Sequence, residues 1–259
     1  MDITVDRVTK TYGTGPAAKL ALSETSFRIE QNEFVTIVGP SGCGKSTLLM
    51  MMAGLLPASG GRIALDDRTV SGPAQGVGVV FQDYSRSLFP WMTVERNLAM
   101  AMLSPRMPRA ERDARIERAL HSVGLAGAQR SYPWQLSGGM QQRVAIARAV
   151  VGLPRVLLMD EPFAAVDAQT RADLEDLILR IRDEYEVTVA LVTHDIDESV
   201  YLADRVLVLA AGPGRLVRDL AVDLPAPREQ IATKRLPAFA DCRSTVFELV
   251  MRPAAHDAR

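Results

Sequence analysis

Apolar and polar residues are patterned differently in successive stretches of this chain, and each pattern predicts a different element. Ile3, Val5 and Val8 alternate with polar neighbours, and Phe27, Ile29 and the run Arg62 to Leu65 have the same texture, which predicts short strands of an early sheet. Phe34 to Val38 is instead an apolar run ending at Gly39, and after a glycine-rich turn Thr47 to Leu56 is apolar again. Only a strand covered on both faces tolerates such a run, so this stretch predicts a buried strand, a loop and a helix. Val77 to Phe81 is another short apolar run, closing at Gln82. From Thr93 to Val151 the spacing becomes helical and rich in Arg, Glu, Ala and Leu, with breaks at Pro105, Pro108 and Pro133, which predicts a helical insert. Strand-like runs return at Val156 to Met159, Val187 to Val192 and Val206 to Leu209, with helix candidates between them. That alternation predicts an α/β fold with a mostly parallel sheet.

From Leu224 the chain carries Pro225, Pro227, Pro237 and Pro253, and an extended tail with one short helix is expected. The organisation expected is one domain over residues 1–223, with a helical part at about 91–152 inserted in it. Residues 224–259 are too few to fold as a separate domain. No internal repeat is visible.

Composition narrows the classes. A hydrophobic content of 47% with 24% charged residues over 259 positions is that of a soluble globular protein with a sizeable core. Thirty Lys and Arg against 31 Asp and Glu leave a net charge of -1, so no global field favours nucleic acid or an anionic membrane. Cys43 and Cys242 lie far apart without metal-ligand spacing, which predicts free thiols in a reducing compartment. No run approaches the roughly 18 apolar residues of a membrane span. The stretch Met1 to Lys10 is polar and alternating, so the chain is expected neither to cross a membrane nor to enter the secretory route.

The chemistry begins at Gly39, Pro40, Ser41, Gly42, Cys43, Gly44, Lys45 and Ser46, with Thr47 following. This is the pattern G-x-x-x-x-G-K-S/T between a buried strand and a helix, the context a phosphate-binding loop requires. Gly42 and Gly44 let backbone N–H groups turn inward, the helix N-terminus adds partial positive charge, and Lys45 supplies a point charge to the β and γ phosphates. Ser46 is then a Mg²⁺ ligand.

A second apolar strand, Val156 to Met159, delivers adjacent carboxylates at Asp160 and Glu161, followed by Pro162. One acid holds Mg²⁺ while the next polarises an attacking water, which assigns Asp160 to the metal and Glu161 to the base. Helix capping would account for Asp160 alone, but not for the adjacent pair. Leu136-Ser137-Gly138-Gly139-Met140-Gln141-Gln142-Arg143 stands before an amphipathic helix predicted from Gln141 to Val151. A serine and two glycines there form a second anion-binding helix terminus, which an NTPase with a single self-contained site would not need.

This stretch resembles the signature motif of the ABC ATPase family, and Gln82 and His194 fall where that family has its Q-loop and switch histidine. The resemblance covers essentially residues 2–220, with the motifs in the family's order. It implies a P-loop NTPase of ABC ATPase type, with a mostly parallel core, an N-terminal antiparallel β subdomain and a helical signature subdomain. It also implies a head-to-tail pair, a homodimer or two related ATPases. In it each ATP lies between the phosphate loop of one copy and Ser137, Gly138 and Gly139 of the other.

In this resemblance Gln82 senses Mg²⁺ and the attacking water, and His194 contacts the γ-phosphate and that water. Tyr12 matches the aromatic that stacks on adenine, although a lone tyrosine there serves equally as a packing residue. His121 and His256 match no motif and are expected at the surface. Two positions depart from the pattern: Met140 replaces a glutamine, and Ala164-Ala-Val-Asp167 lacks the serine that usually opens the D-loop.

Gln82 to Trp91, Tyr132-Pro-Trp134, His194-Asp-Ile-Asp-Glu-Ser and the tail with Phe239, Arg243 and Val246 are similar to the nitrate, sulfonate and taurine branch of bacterial importers. Singly, Phe89 and Trp91 read equally well as core residues; as a group after Gln82 they form a groove for a permease helix. The implied partners are transmembrane permease subunits and, indirectly, an extracytoplasmic solute-binding protein, with no nucleic acid. The implied place is the cytoplasmic face of the inner membrane, held peripherally. The alternative is a soluble ABC ATPase acting on nucleic acid or ribosomes. Such proteins usually carry a long coiled-coil insertion or two cassettes, and this chain has one cassette and neither a heptad run nor a basic stripe.

Overall fold

The computed structural model describes residues 1–83, 87–102 and 107–251. Tyr84, Ser85, Arg86, Pro105, Pro253 and His256, which entered the sequence reading, lie outside the described residues. The chain divides into two units, one of Met1–Gln75 with Thr188–Arg259 and one of Gly76–Val187.

In the first unit, β1 (Ile3–Tyr12), β2 (Lys19–Ile29), β4 (Gly60–Leu65) and β5 (Arg68–Thr69) form an antiparallel sheet in the order β2-β1-β4-β5. Ile3 and Val5 are buried, then Val8 and Lys10, so the alternation shifts phase by one residue between Val5 and Val8. The ladder slips at the same place, with Val5 opposite Phe27 but Val8 opposite Thr25, and Arg7 takes a left-handed φ of +48°. One extra residue is bulged out, and the buried face stays buried on both sides of it. Lys10 lies along this face by its stem and donates from Nζ to the Pro57 carbonyl at 2.7 Å.

The same unit contains parallel strands β3 (Phe34–Val38), β8 (Thr188–Val192) and β9 (Arg205–Ala210), with β3 in the middle, and β10 (Arg215–Ala221) returns antiparallel along β9. Every residue of β3 and β8 is buried, which accounts for their mainly apolar sequences, and the polar Thr36 within β3 donates its hydroxyl to the Ser199 carbonyl at 3.0 Å. Helix α1 (Lys45–Met52) packs against β8, and α6 (Ile196–Leu202) against β3.

The tail is more ordered than its prolines suggest. In place of an extended segment with one short helix, it forms α7 (Gln230–Lys234) and the 15-residue α8 (Pro237–Met251). Pro237 opens α8 instead of breaking it, because at the first helical position the missing N–H has no partner to lose and the fixed φ suits the helix. α8 packs on α6 and β9, burying Phe239 and Val246.

The second unit holds the parallel pair β6 (Val77–Val80) and β7 (Val156–Asp160) with α2 (Val94–Ala101), α3 (Arg109–Ser122), α4 (Gly138–Val150) and α5 (Ala168–Tyr185). α4 is its central helix, packed against α2, α3, α5 and β6, with Val144, Ile146, Ala147 and Val150 buried. Asn97 on α2 is fully buried and ties down the loop before it. Its Oδ1 accepts from the Phe89 N–H at 2.7 Å, and its Nδ2 donates to the carbonyls of Phe89, Met92 and Thr93 at 3.1, 3.2 and 3.1 Å.

Because Phe239 anchors α8, Phe239→Ala is expected to lower the unfolding free energy by about 3 kcal/mol, the usual cost of emptying an aromatic site in a core. Urea denaturation followed by far-UV circular dichroism measures this, and a midpoint equal to the parent's would mean that α8 adds nothing to the fold.

Candidate active site

In the first unit, β3 ends at Val38 and the chain turns at once. Gly39 has φ +154°, and a Cβ there would stand 2.3 Å from the Leu209 carbonyl oxygen of β9, so no side chain fits. The loop closes through a bond from Cys43 N–H to the Pro40 carbonyl at 3.3 Å, and Gly44 is the N-cap of α1. Lys45 is buried, and its Nζ folds back to donate to the carbonyls of Gly39 at 2.7 Å and Pro40 at 3.1 Å. The loop therefore holds its cation inside the turn. Cys43 lies fully buried in the same loop, and burial pushes its thiol pKa up, against the smaller opposing effect of the Lys45 charge. It is a neutral packing group there, not a nucleophile.

Tyr12 at the end of β1 is brought to this loop: its hydroxyl lies 3.2 Å from Thr47 Oγ1, and the residue is 44% exposed. Ser46 is the second residue of α1 and faces solvent. His194 follows β8 in an exposed position. The turn around it is fixed by Thr193, whose hydroxyl donates to Glu198 Oε2 at 2.7 Å and accepts from Asp195 N–H at 3.0 Å. Asp195 caps α6 by accepting from Glu198 N–H at 3.1 Å.

In the second unit, β7 presents Asp160, which is buried, and then Glu161, whose φ of +44° is left-handed. A non-glycine residue held there carries about 1–3 kcal/mol of backbone strain, which its surroundings must hold. Gln82 Nε2 donates to Glu161 Oε2 at 3.1 Å, so these two predicted residues are brought together. Helix α4 starts at Gly138, three residues before the predicted start, because Ser137 is its N-cap and accepts from Met140 N–H at 3.3 Å. That bond uses a lone pair of the hydroxyl and leaves its proton for an anion. A Cβ on Gly139 would come within 2.7 Å of Thr170 Cγ2 on α5, so the glycine lets α4 begin against that helix. Asp167 caps α5, accepting from the N–H and hydroxyl of Thr170 at 3.0 and 2.7 Å.

Gln142 and Thr170 are the residues that sequence reasoning passed over. Gln142 is completely buried and donates from Nε2 to the Pro162 carbonyl at 2.5 Å. A signal for it was present: Gln142 precedes the apolar Ile146 by one turn and Val150 by two, which puts a polar side chain on the buried face of the predicted helix. Nothing local marks Thr170.

A family model described as "ABC transporter" matches residues 22–164. The aliphatic sulfonates import ATP-binding protein SsuB of Bacillus licheniformis is 46% identical over 239 residues, covering 92% of this chain and 90% of that protein. Among solved structures, the dimeric post-hydrolysis state of the ATP-binding cassette MJ0796 bound to ADP and Pi matches with a TM-score of 0.74 at 32% identity, covering 85% of this chain and 98% of the other. The cbiO1 protein of Clostridium perfringens, part of the ABC transporter complex cbiONQ, matches with a TM-score of 0.78 at 27% identity, over 97% of this chain and 95% of the other.

The N–H and hydroxyl of Thr170 hold the Asp167 carboxyl below the ordinary aspartate range. Its contribution to α5 is thus present above the unfolded pKa of about 3.9 and is lost as the pH falls through the lower folded value. An NMR titration of the Asp167 carboxyl carbon should show a midpoint below that of an unfolded aspartate, and Thr170→Val, which removes the hydroxyl donor, should move the midpoint up. An unmoved midpoint would show that the hydroxyl contributes nothing to the shift.

Proposed function

The chain belongs to the ABC transporter family, and on that premise we propose that it is the ATP-hydrolysing subunit of an importer, working as a pair with a second copy or a related ATPase. The observation that carries the reading is the Ser137-capped start of α4, a second anion-binding terminus in a chain that already has a phosphate loop. The relative named for sulfonate import and the dimeric cassette bound to ADP and Pi support it.

Each group has a role in this reading. The loop Gly39 to Thr47 cradles the phosphates with inward N–H groups, and Lys45 exchanges its loop carbonyls for phosphate oxygens. Tyr12, held beside Thr47, stacks on adenine. Ser137, Gly138 and Gly139 donate to the γ-phosphate of the ATP bound by the other copy. Glu161 polarises the attacking water, Gln82 orients that carboxylate, and His194 holds the γ-phosphate and the water. Ser46, Gln82 and Asp160 offer hard oxygen donors of the kind Mg²⁺ prefers, and a bound Mg²⁺ would neutralise phosphate charge. Closure of the pair on ATP and its reopening after hydrolysis then work the membrane subunits.

The permease is expected at the loop that Asn97 ties down, where Phe89 and Trp91 pack with ring centroids 5.5 Å apart and Trp91 is 69% exposed. Nitrate, an alkyl sulfonate, taurine or a related small solute is the expected cargo, delivered by an extracytoplasmic binding protein. This subunit meets only ATP. Among the described residues no helix is long and apolar enough to cross a membrane. The place expected for such a subunit is peripheral, on the cytoplasmic face, through its permease.

Affinity purification of the chain from detergent-solubilised native membranes should bring down a multi-span permease; recovery of nucleic acid or ribosomes without a membrane protein would overturn the transport reading. Glu161→Gln should retain ATP binding and lose turnover by about a hundredfold or more, as removal of a general base does. Turnover at the parent rate would take the role of base away from Glu161.

A further inference from the structure

The backbone after β7 is held from an unexpected direction. Glu161 sits at φ +44°, and Pro162 follows it with its own φ locked by the ring and no N–H to bond. The polar backbone group left to Pro162 is its carbonyl, and Gln142 Nε2 donates to it at 2.5 Å inside the second unit. Gln142 is 0% exposed, and among the described residues its Oε1 is buried without a hydrogen-bond partner. Turning the amide over would set oxygen against the Pro162 oxygen, so its orientation is determined. A methionine of the same length would fill this space with no unsatisfied polar atom. The amide's desolvation cost is therefore tied to its one bond, the bond to the residue beside Glu161.

We propose that Gln142 is a positioning residue for hydrolysis: by holding the Pro162 carbonyl it keeps Glu161 in its left-handed conformation, with the carboxylate where Gln82 meets it. This rests on the reading of Glu161 as the base. Glu161 is thereby restrained twice, at its carboxylate by Gln82 and through its backbone by Gln142. Gln142 belongs to the helix whose first turn is capped by Ser137, so the geometry of the base depends on the seating of the helix that begins at the signature.

The test is a set of full-length variants assayed for ATP affinity and for single-turnover hydrolysis at saturating ATP. Gln142→Met keeps the volume and removes the donor, and it should lower the hydrolysis rate by about 10-fold to 100-fold, the scale of an ångström-sized misplacement of a reacting group. Nucleotide affinity should stay within about twofold, because the phosphate loop is untouched. If Gln142 acts through Glu161, adding Gln142→Met to Glu161→Gln should leave the residual rate unchanged, since the group being positioned is already gone. A structural defect would slow both backgrounds alike. Gln142→Asn, which keeps an amide but shortens its reach, is expected to behave as Gln142→Met does and serves if the methionine variant does not fold.

A parent-like rate in the single Gln142 variants, or an equal further loss in the Glu161→Gln background, overturns the proposal while leaving Glu161 as the base. Normal turnover by Glu161→Gln alone overturns the assignment of the base and this proposal with it.

Discussion

Between Val38 and Lys45 the backbone passes so close to the Leu209 carbonyl that position 39 has room for a hydrogen atom and nothing larger. The register of the sheet sets this approach. Val38 stands opposite Val208 in the parallel pairing of β3 with β9, so the next residue meets Leu209 as the strand runs out. With the turn fixed there, the loop folds over itself, Cys43 fills the space beneath it, and Lys45 is drawn back onto the Gly39 and Pro40 carbonyls. Those contacts follow from one close passage of backbone past backbone in a sheet with no exposed residue in its middle strand.

The second unit is organised around α4. Its first turn lies against Thr170, its Gln142 holds the Pro162 carbonyl, and its apolar face packs the strands and helices around it. The D-loop departure at Ala164 looks different in this setting. Asp167 acts within its own chain as the cap of α5, through bonds that do not involve the missing serine hydroxyl. Replacing that serine by Ala164 leaves the local architecture intact, and only what a hydroxyl would offer to a partner is lost.

Legibility in the sequence followed the distance over which each feature is encoded. The buried strand, the glycine turn and the helix of the phosphate loop are contiguous, and each has a period or a residue type that announces it. The carboxylates after Val156 to Met159 and the serine and glycines before α4 were readable for the same reason. The bulge at Arg7 left a trace as a one-residue slip in the spacing of Val5 and Val8, but the cause of that slip is its pairing with β2. Asn97, Gln142 and Thr170 act on main chain or side chains brought near by folding, and such bonds have no sequence period. The tail misled because proline marks a helix start and a helix break alike, and only the packing of Phe239 and Val246 tells which.

The first unit is discontinuous, and that affects how the chain is made. Strand β3 emerges early, but its pairing partners start at Thr188 and Arg205, and Leu209, which shapes the phosphate loop, comes later still. The second unit, by contrast, is a single stretch from Gly76 to Val187. During synthesis at about 5–20 residues per second, the loop after β3 must wait many seconds beside a mainly apolar strand with no neighbour. The helices of the second unit can assemble as they leave the ribosome. The loop after β3 is thus translated well before the strands that shape it, and the nascent chain is most exposed to misassociation in that interval.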